Sequence, residues 1–385
     1  MSVAHLYAEL ARLAALPDDS ATTLASEFYT NSDWLAIERQ QIFRNEWICI
    51  GRADEIPSVG SYRATEIDGA PILVVRKGER ELTAMSAVCL HRMAIIAEGT
   101  GIARGFACPY HGWTYDLDGR LIAAPRMPES FDRSARSLLR LPVEQWNGFV
   151  YVNLDVSAQP LASRLRGLAT ILAPYHVERM RTLKHERHVW RTNWKVLVEN
   201  FLEPYHLNAT HTTTLAPFAT PAGVTILPRA DGYHFHRHRM VDDFKPLPLD
   251  ERIGIPNEDL TDDAKQVAYI GGVFPTHLFS VTWDAVFWLS LQPNGVDEVF
   301  VDYGVGGPFA IPEGETPDPS HPNLYYLTLT EAVNAEDRRR LESIQRAARS
   351  GLGRQSPLHP HEAPIAGFIS YLWSRLSRDP TYDAA

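Results

Sequence analysis

The chain has 385 residues, of which 45% are hydrophobic and 22% charged, a composition that predicts a globular protein of two ordinary domains. Its 47 acidic residues outnumber 37 lysines and arginines and give a net charge of −10, so the composition does not suggest a nucleic-acid-binding face. No run is long enough to cross a membrane, and residues 1–30 lack a signal-peptide pattern, so we expect a cytoplasmic protein.

The first region, residues 1–45, has a helical pattern. Leu6, Leu10 and Leu13 recur at the spacing of one helix face. We expect this N-terminal segment to pack on the larger domain.

The second region, residues 46–155, changes to short β-rich runs separated by glycine turns, which predicts a small all-β domain. Three dipeptides are typical of hairpin connections: Asp68-Gly69, Lys77-Gly78 and Asp118-Gly119. Cys49 lies in the apolar run WICI and is predicted to be a buried strand residue rather than a metal ligand.

The third region, residues 156–385, contains both the helix and the strand periodicity of apolar residues. The pattern predicts the following elements: a helical patch after Pro160, antiparallel strands within 223–305, loops at 245–256 and 308–322, a last strand at LYYLTL (324–329), a long helix ending near Gly351 and Gly353, and a final helix over about 366–376.

Two short metal-binding motifs lie inside the all-β region. Cys89 and His91 are two positions apart, sixteen residues follow, and then Cys108 and His111 are three positions apart. Such a set can hold a two-iron cluster with the cysteines on one iron and the histidines on the other. Zinc accepts the same ligand types, although zinc motifs usually pair Cys with Cys and His with His. Cysteines kept as thiolates fit a reducing compartment.

A second candidate site lies in TNWKVLVENFLEPYHLNATH, residues 192–211. Glu203 and His206 share a helix face, whereas His206 and His211 differ by about 140° on a regular helix, so they can converge only where the helix unwinds. Two histidines and a carboxylate form the facial triad of non-haem Fe(II) oxygenases. A histidine pair at this spacing is otherwise typical of ordinary surface or core residues.

Together these motifs resemble the α (terminal oxygenase) subunit of the Rieske non-haem iron oxygenases, a family of ring-hydroxylating enzymes. The resemblance includes WICIGRADEIPSVGSY (47–62), both cluster motifs with PYHGW (109–113), NWK...EN..E.YH....H (193–211) and the helix carrying Asp337. It is weakest over about 223–325. Met93 departs from the glycine that many members have at this position.

The resemblance implies a ligand for every metal position. It implies that Cys89, His91, Cys108 and His111 hold a Rieske 2Fe–2S cluster and that His206 and His211 hold a mononuclear Fe(II). The third iron ligand is a late carboxylate. The family's spacing of Asp, Glu and Gln matches Asp337, Glu342 and Gln345, and Glu336 is the alternative. The resemblance implies that Glu203 links the iron site to a cluster histidine of the neighbouring subunit. Many family members have Asp at the position of Glu203.

The implied fold is α+β: a small Rieske domain plus a catalytic domain whose antiparallel sheet is surrounded by helices (helix-grip or START-like). The implied partners are a separate reductase that passes electrons from NAD(P)H, a possible ferredoxin, and two further copies in a homotrimer. The sequence leaves open whether a small β subunit is present.

We expect an oxygenase that mono- or cis-dihydroxylates an aromatic compound. The alternative is oxidative demethylation or C–N cleavage of a quaternary ammonium or alkylamine substrate, which Glu203 favours slightly. A plain Rieske electron carrier would need no second domain. The predicted pocket residues are Phe218, Tyr233, Trp283, Phe287, Trp288 and Tyr303.

Two further groups of residues are noted. Tyr110 and Trp113 flank His111 and are expected to shield the cluster, or simply to pack in the core. His234, His236 and His238 alternate on one strand face and could bind a metal, although no cysteine or carboxylate joins them at a compelling spacing.

Overall fold

The computed structural model describes residues 1–241, 259–307 and 324–377, apart from the side chains of 324–326. The two predicted proline-rich loops lie outside the described residues. Contacts divide the chain into two units, Phe43–Ala162 and Met1–Ile42 with Ser163–Ala385. The domain limits at 46 and 156 stay sequence predictions. No helix within the described ranges has both the length and the apolarity to cross a membrane.

The unit Phe43–Ala162 is built from small antiparallel sheets, as its alternating pattern predicts. The sheet orders are β1-β11-β10, β5-β2-β3-β4-β9 and β6-β7-β8. Their strands are β1 (Ile48–Arg52), β2 (Ser61–Ile67), β3 (Ala70–Arg76), β4 (Leu82–Ser86), β5 (Thr100–Ile102), β6 (Phe106–Ala107), β7 (Thr114–Tyr115), β8 (Leu121–Ala123), β9 (Arg140–Leu141), β10 (Val143–Trp146) and β11 (Phe149–Val152).

All three predicted hairpin connections are confirmed. Asp68-Gly69 joins β2 to β3, and both residues have positive φ values of 49° and 72°. Such angles match the twist of paired strands and are the reason for the glycine. Lys77-Gly78 lies between β3 and β4, and Asp118-Gly119 between β7 and β8. Cys49 is buried in β1, as predicted.

The other unit contains a seven-stranded antiparallel sheet in the order β12-β18-β17-β16-β15-β14-β13. Its strands are β12 (Arg181–Trp190), β13 (Ala219–Ile226), β14 (Tyr233–Met240), β15 (Val267–Val273), β16 (His277–Val281), β17 (Val286–Gly295) and β18 (Glu298–Gly307). The α-helices in the described residues are α1 (Val3–Ala14), α2 (Glu27–Thr30), α3 (Ser32–Glu38), α4 (Leu161–Arg164), α5 (Arg166–Leu172), α6 (Trp194–Leu202), α7 (Leu207–Thr210), α8 (Asp262–Lys265), α9 (Leu324–Arg349) and α10 (Ala363–Leu376).

One predicted element is wrong. Residues 324–329, expected to form a last strand, begin the long helix α9. A short apolar run does not distinguish strand from helix by itself. Leu329, Val333 and Asp337 line one cavity at spacings of four residues, which is the period of a helix face. The predicted end of this helix near Gly351 is confirmed.

A buried ion pair holds α6 in place. Lys195 Nζ lies 2.7 Å from Glu38 Oε1, and both side chains are completely buried. Glu38 also accepts a hydrogen bond from Trp194 Nε1 at 2.9 Å. Burial lowers the pKa of Lys195, and the carboxylate of Glu38 opposes that shift. A charge without its partner is very costly at such a site, so the pair fixes α6 against α3.

Hydrogen bonds to α9 complete the support of α6. Gln345 accepts a hydrogen bond from the Asn193 backbone at 3.0 Å and donates one to the Tyr29 carbonyl at 3.0 Å. Asn193 caps the first turn of α6 by accepting from the Lys195 backbone. Glu342, the other acid of the predicted pattern, accepts from the Arg191 backbone. These bonds fix the register of α9 relative to the start of α6.

Removal of one member of the ion pair is expected to destabilise the unit strongly. Lys195→Met leaves Glu38 buried without its counter-charge, so we expect a loss of about 3–5 kcal/mol. Thermal unfolding followed by circular dichroism measures the effect. The control Lys195→Met with Glu38→Gln removes the stranded charge and keeps an acceptor for Trp194, and it should regain most of the loss. Equal melting temperatures of the single and the double variant would contradict this account of the ion pair.

Candidate metal centres

The two cluster motifs form matching turns. The Met93 backbone donates to the Cys89 carbonyl at 3.0 Å, and the Gly112 backbone donates to the Cys108 carbonyl at 3.0 Å. The donor residues have positive φ values, 58° for Met93 and 73° for Gly112. Glycine adopts this conformation without strain, which explains why many family members have glycine where this chain has Met93.

The four side chains are arranged as a two-iron cluster requires. The thiols of Cys89 and Cys108 are buried, whereas the rings of His91 and His111 are exposed. Nδ1 of His91 lies 3.1 Å from Nδ1 of His111. The two nitrogens are thus close enough to bind one iron, with the cysteines left for the other. This donor set fits a Rieske cluster.

Neighbouring groups favour the metal-binding thiolate form of Cys89. The Tyr115 hydroxyl lies 3.3 Å from Cys89 Sγ and accepts a hydrogen bond from the Leu90 backbone. Burial raises the pKa of Cys89, but hydrogen bonds from Tyr115 and from the His91 backbone outweigh it, so the net pKa is lowered. A lowered pKa favours the thiolate that binds metal. Sequence reasoning missed Tyr115.

The two predicted shielding residues lie against the histidines. The Trp113 ring is buried and stacks on His91, with centroids 4.9 Å apart and an interplanar angle of 10°. The half-exposed Tyr110 ring lies 3.8 Å from the His111 ring. Trp113 therefore covers the inner side of the site and Tyr110 the outer side.

The second centre lies where α6 ends. Glu203 has extended backbone angles, and Pro204 follows. Proline cannot continue the hydrogen-bond pattern of a helix, so α6 stops and the short α7 begins at Leu207. This interruption confirms the expectation that His206 and His211 converge only through an unwound helix.

Three ligand atoms converge at this point. His206 Nε2 lies 3.2 Å from His211 Nε2. Asp337 Oδ1 lies 3.1 Å from His211 Nε2 and 3.7 Å from His206 Nε2. Ligand atoms of an iron at right angles, each about 2.1 Å from it, would lie about 3 Å apart. Asp337 Oδ1 is buried and has no hydrogen-bond donor in the described residues. The set therefore fits a divalent metal ion.

Carboxylates set the tautomers of both histidines. Glu203 Oε1 lies 2.6 Å from Nδ1 of His206, and Glu336 Oε2 lies 2.7 Å from Nδ1 of His211. Each Nδ1 therefore donates its proton to a carboxylate, and each Nε2 presents a lone pair. Two lone pairs facing each other at 3.2 Å repel unless a cation lies between them.

Glu336 and Asp337, the two alternative ligands in the sequence, have different positions. Asp337 points at the Nε2 atoms, whereas Glu336 lies behind His211 and also accepts from the Thr214 hydroxyl at 2.7 Å. Burial lowers the pKa of His211, but Asp337 and then Glu336 outweigh this effect and raise it overall. The same negative charges that raise this pKa attract a metal cation. The role of Glu336 was missed by sequence reasoning.

The three donor residues line a cavity of about 230 Å³ within the same unit. Most of its lining side chains are apolar. Of the predicted pocket aromatics, Phe218, Trp283 and Phe287 line it, together with the unpredicted Phe201. The rest, Tyr233, Trp288 and Tyr303, are not among its described lining residues.

The three histidines of β14 do not gather into a metal site in the described part of the chain. Instead, Nε2 of His234 lies 2.9 Å from the Leu227 carbonyl, and Nε2 of His238 lies 2.9 Å from the Thr220 carbonyl. His236 and His238 line the cavity.

Family comparisons agree with both centres. Residues 46–146 match the Rieske [2Fe-2S] domain, and residues 177–377, more than half of the chain, match the ring-hydroxylating α subunit catalytic domain. The chain belongs to the α subunits of the Rieske non-haem iron oxygenases. The α+β prediction and the expected cofactors, a Rieske cluster and a mononuclear iron, are confirmed at the level of this oxidoreductase family.

Three relatives of the oxygenase are informative. It is 35% identical over 212 residues to the glycine betaine monooxygenase oxygenase subunit of Chromohalobacter salexigens (52% of this chain, 48% of that protein). It is 35% identical over 199 residues to the carnitine monooxygenase oxygenase subunit of Acinetobacter baumannii (50% and 53%). It is 32% identical over 208 residues to the anthranilate 1,2-dioxygenase large subunit of Acinetobacter baylyi (51% and 44%). The chain thus spans about half the length of these relatives.

A solved structure shows the same fold over nearly the whole chain. It is a quaternary ammonium Rieske monooxygenase in complex with an inhibitor, with a TM-score of 0.80 and 24% identity, and the match covers 94% of this chain and 97% of that chain. This likeness shows the fold of the oxygenase.

Loss of one cluster cysteine is expected to abolish the Rieske signals. Cys108→Ser removes a thiolate, so visible absorption and the reduced-state EPR signal should disappear. The control Cys49→Ala changes a buried cysteine of β1 and should keep both signals. A Cys108→Ser protein with a normal spectrum would contradict the assignment.

Substitutions of the two adjacent acids at the iron site are expected to weaken Fe(II) binding to different degrees. Asp337→Ala should abolish Fe(II) binding, whereas Glu336→Ala should weaken it about 10- to 100-fold because His211 loses its orienting acceptor. Fe(II) titration of the apoprotein measures both. Glu331→Ala on the same helix, whose carboxylate contacts Lys184, is the matched control and should bind iron normally. Stronger loss in Glu336→Ala than in Asp337→Ala would transfer the ligand role to Glu336.

Proposed function

We propose that this chain is a terminal oxygenase that oxidises a quaternary ammonium compound with O2 and electrons from a separate reductase. The observation that carries the proposal is the cavity wall: four aromatic side chains, including Phe201 and Trp283, share it with the carboxylates of Glu203 and Asp337. Aromatic faces and carboxylates both attract an organic cation. The glycine betaine and carnitine monooxygenases among the relatives support this substrate class.

The overall reaction inserts one oxygen atom into a C–H bond beside the substrate nitrogen. Two electrons from the reductase and two protons convert the other oxygen atom of O2 to water. The hydroxylated carbon then loses its bond to nitrogen, which leaves an amine and an aldehyde. When bound, the mononuclear iron supplies the O2 chemistry and the cluster supplies single electrons.

We assign the residues of this chain as follows. Cys89, His91, Cys108 and His111 hold the cluster, and His206, His211 and Asp337 hold the iron. Glu203 and Glu336 keep the Nδ1 protons of the iron-site histidines in place, which leaves both Nε2 atoms to the metal. The apolar wall excludes water and would hold the substrate beside the three residues that bind the metal.

Hydroxylation of an aromatic ring is the second candidate. Phe201 and Phe287 are stacked at 6.1 Å on the cavity wall, an arrangement that also suits a flat ring. The anthranilate dioxygenase relative supports this alternative.

We further propose that the oxygenase is a homotrimer in which electrons pass between subunits. Inter-subunit electron transfer is described for a structurally similar quaternary ammonium Rieske monooxygenase, which supports this route. Glu203 already contacts the iron ligand His206. Its carboxylate, which also accepts from the backbones of Tyr205 and His206, would accept a further hydrogen bond from His111 of the neighbouring copy. A reductase, with or without a ferredoxin, would deliver the electrons.

The substrate class is tested by binding and turnover of matched compounds. With reductase and NADH, glycine betaine or carnitine should give aldehyde, and anthranilate should give little product. The carbon isostere of glycine betaine, 3,3-dimethylbutanoate, should bind about tenfold more weakly because it lacks the cationic nitrogen. Turnover of anthranilate but of no ammonium compound would replace the proposal with the aromatic alternative.

The electron route is tested with mixed oligomers. Glu203→Gln should keep both metal centres but lose most turnover, and Cys108→Ser subunits should be inactive. Co-assembly of the two places some intact clusters beside an intact Glu203, so partial activity should return. Light scattering checks the trimer. Verified mixed trimers without recovery would contradict transfer through Glu203.

A further inference from the structure

One face of the seven-stranded sheet forms the floor of the cavity. A row of directly paired residues crosses this face from β14 to β18, and all of its members line the cavity: His236, Ile270, Ser280, Phe287 and Val305. The two ends of the row are buried, whereas Ile270, Ser280 and Phe287 are only half-buried. Ser280 is therefore a polar residue in the open middle of this floor, between two apolar side chains.

The hydroxyl of Ser280 is available to a ligand. Three hydroxyl side chains occur among the described lining residues of the cavity, those of Ser280, Thr282 and Thr330. Thr282 donates to Asp284 Oδ1 at 3.0 Å, and Thr330 donates to the Leu327 carbonyl at 3.0 Å. The Ser280 hydroxyl has no hydrogen-bond partner in the described residues, and its oxygen retains accessible surface.

Ser280 also lies close to the stretch of α6 that leads to the iron ligands. Phe287 is its direct cross-strand neighbour, and opposite residues of paired strands have Cβ atoms about 5 Å apart. The Phe287 ring stacks on Phe201 of α6, with ring centroids 6.1 Å apart. Phe201 precedes Glu203 by two residues, and Glu203 contacts the iron ligand His206. The free hydroxyl is thus one strand spacing away from the aromatic pair.

A hydroxyl in this position distinguishes between ligands. Water can satisfy it in the free protein, but an apolar ligand that fills the cavity displaces the water and leaves the hydroxyl without a partner. A ligand with an oxygen atom at the same place replaces the lost hydrogen bond. Because a serine hydroxyl both donates and accepts, it suits a hydroxyl or a carboxylate oxygen.

We propose that Ser280 is a specificity-determining residue whose hydroxyl forms a hydrogen bond to an oxygen atom of the substrate, while Phe201 and Phe287 contact the ammonium group. The substrate class is thereby narrowed to ammonium compounds that carry a hydroxyl or carboxylate group a short carbon chain away from the nitrogen. This inference rests on the proposed function for the ammonium group only.

The test compares ligand binding to the metal-loaded native oxygenase and to Ser280→Ala by calorimetry. Choline and propyltrimethylammonium have the same charge and differ in a terminal hydroxyl or methyl group. Glycine betaine and isobutyltrimethylammonium form a second pair that differs in the carboxylate. The variant should raise the Kd of an oxygen-bearing ligand about 3- to 10-fold and leave the Kd of its isostere unchanged or lower. A larger effect on glycine betaine assigns the carboxylate, and a larger effect on choline assigns the hydroxyl.

Two further variants separate recognition from a structural role. Ser280→Thr keeps the hydroxyl and should keep the native preference within each ligand pair. The control Thr282→Val removes a hydroxyl that is already bonded to Asp284, so it should lower the melting temperature without changing the preference. Ser280→Ala should melt like the native protein. Equal Kd changes for both members of each pair, no change for any ligand, or a melting temperature that falls together with the affinity would overturn the inference.

Failure of the proposed function has a different signature. An oxygenase that acts on aromatic compounds would oxidise none of the four ammonium ligands. Ser280→Ala is then compared with the native protein on benzyl alcohol and ethylbenzene, which share a ring and differ in a hydroxyl or methyl group. A selective loss of affinity for benzyl alcohol would retain the role of Ser280, and an unselective result would remove it.

Discussion

The iron site depends on two carboxylate–imidazole hydrogen bonds. Glu203 and Glu336 each accept the Nδ1 proton of one histidine, so both Nε2 lone pairs turn toward Asp337. Without the bond to Glu336, His211 would be free to rotate or to change its tautomer, and the site would lose its shape. The same bond separates the positions of the two adjacent acids of α9. Glu336 lies at Nδ1 of the His211 ring, whereas Asp337 lies at its Nε2 atom.

This geometry is held by buried polar contacts that are remote from the metal. The Lys195–Glu38 pair fixes α6, and Gln345 ties α9 to the cap of that helix. α6 ends at Leu202, before Pro204, and the short α7 then separates His206 from His211. The parts of the family pattern that bind no metal, Glu342 and Gln345, thus act by setting the position of Asp337 along α9.

The cavity combines two kinds of recognition. Aromatic and apolar side chains suit a trimethylammonium group or a ring, and the carboxylates of Glu203 and Asp337 add negative charge. The main sequence expectation, aromatic hydroxylation, therefore has less support than its alternative, the oxidation of a quaternary ammonium compound. The glycine betaine and carnitine monooxygenases among the relatives point the same way.

The sequence by itself determined the family, the fold class and most candidate ligands. Cys89, His91, Cys108 and His111 form two local motifs, and His206 and His211 lie close together, so spacing alone was informative. The hairpins were equally predictable because turn geometry requires residues such as Gly69 that tolerate a positive φ.

Only the tertiary structure distinguished the positions of Glu336 and Asp337, since helix register relative to His211 decides which acid lies at its Nδ1 atom and which at its Nε2 atom. It also corrected residues 324–329 from strand to helix, and Leu329 lies on the helix face that carries Asp337. The contacts of His234 and His238 with the carbonyls of Leu227 and Thr220 could not be read from an alternating strand either. Whether a buried nitrogen has a partner depends on neighbouring strands and loops that are distant in sequence.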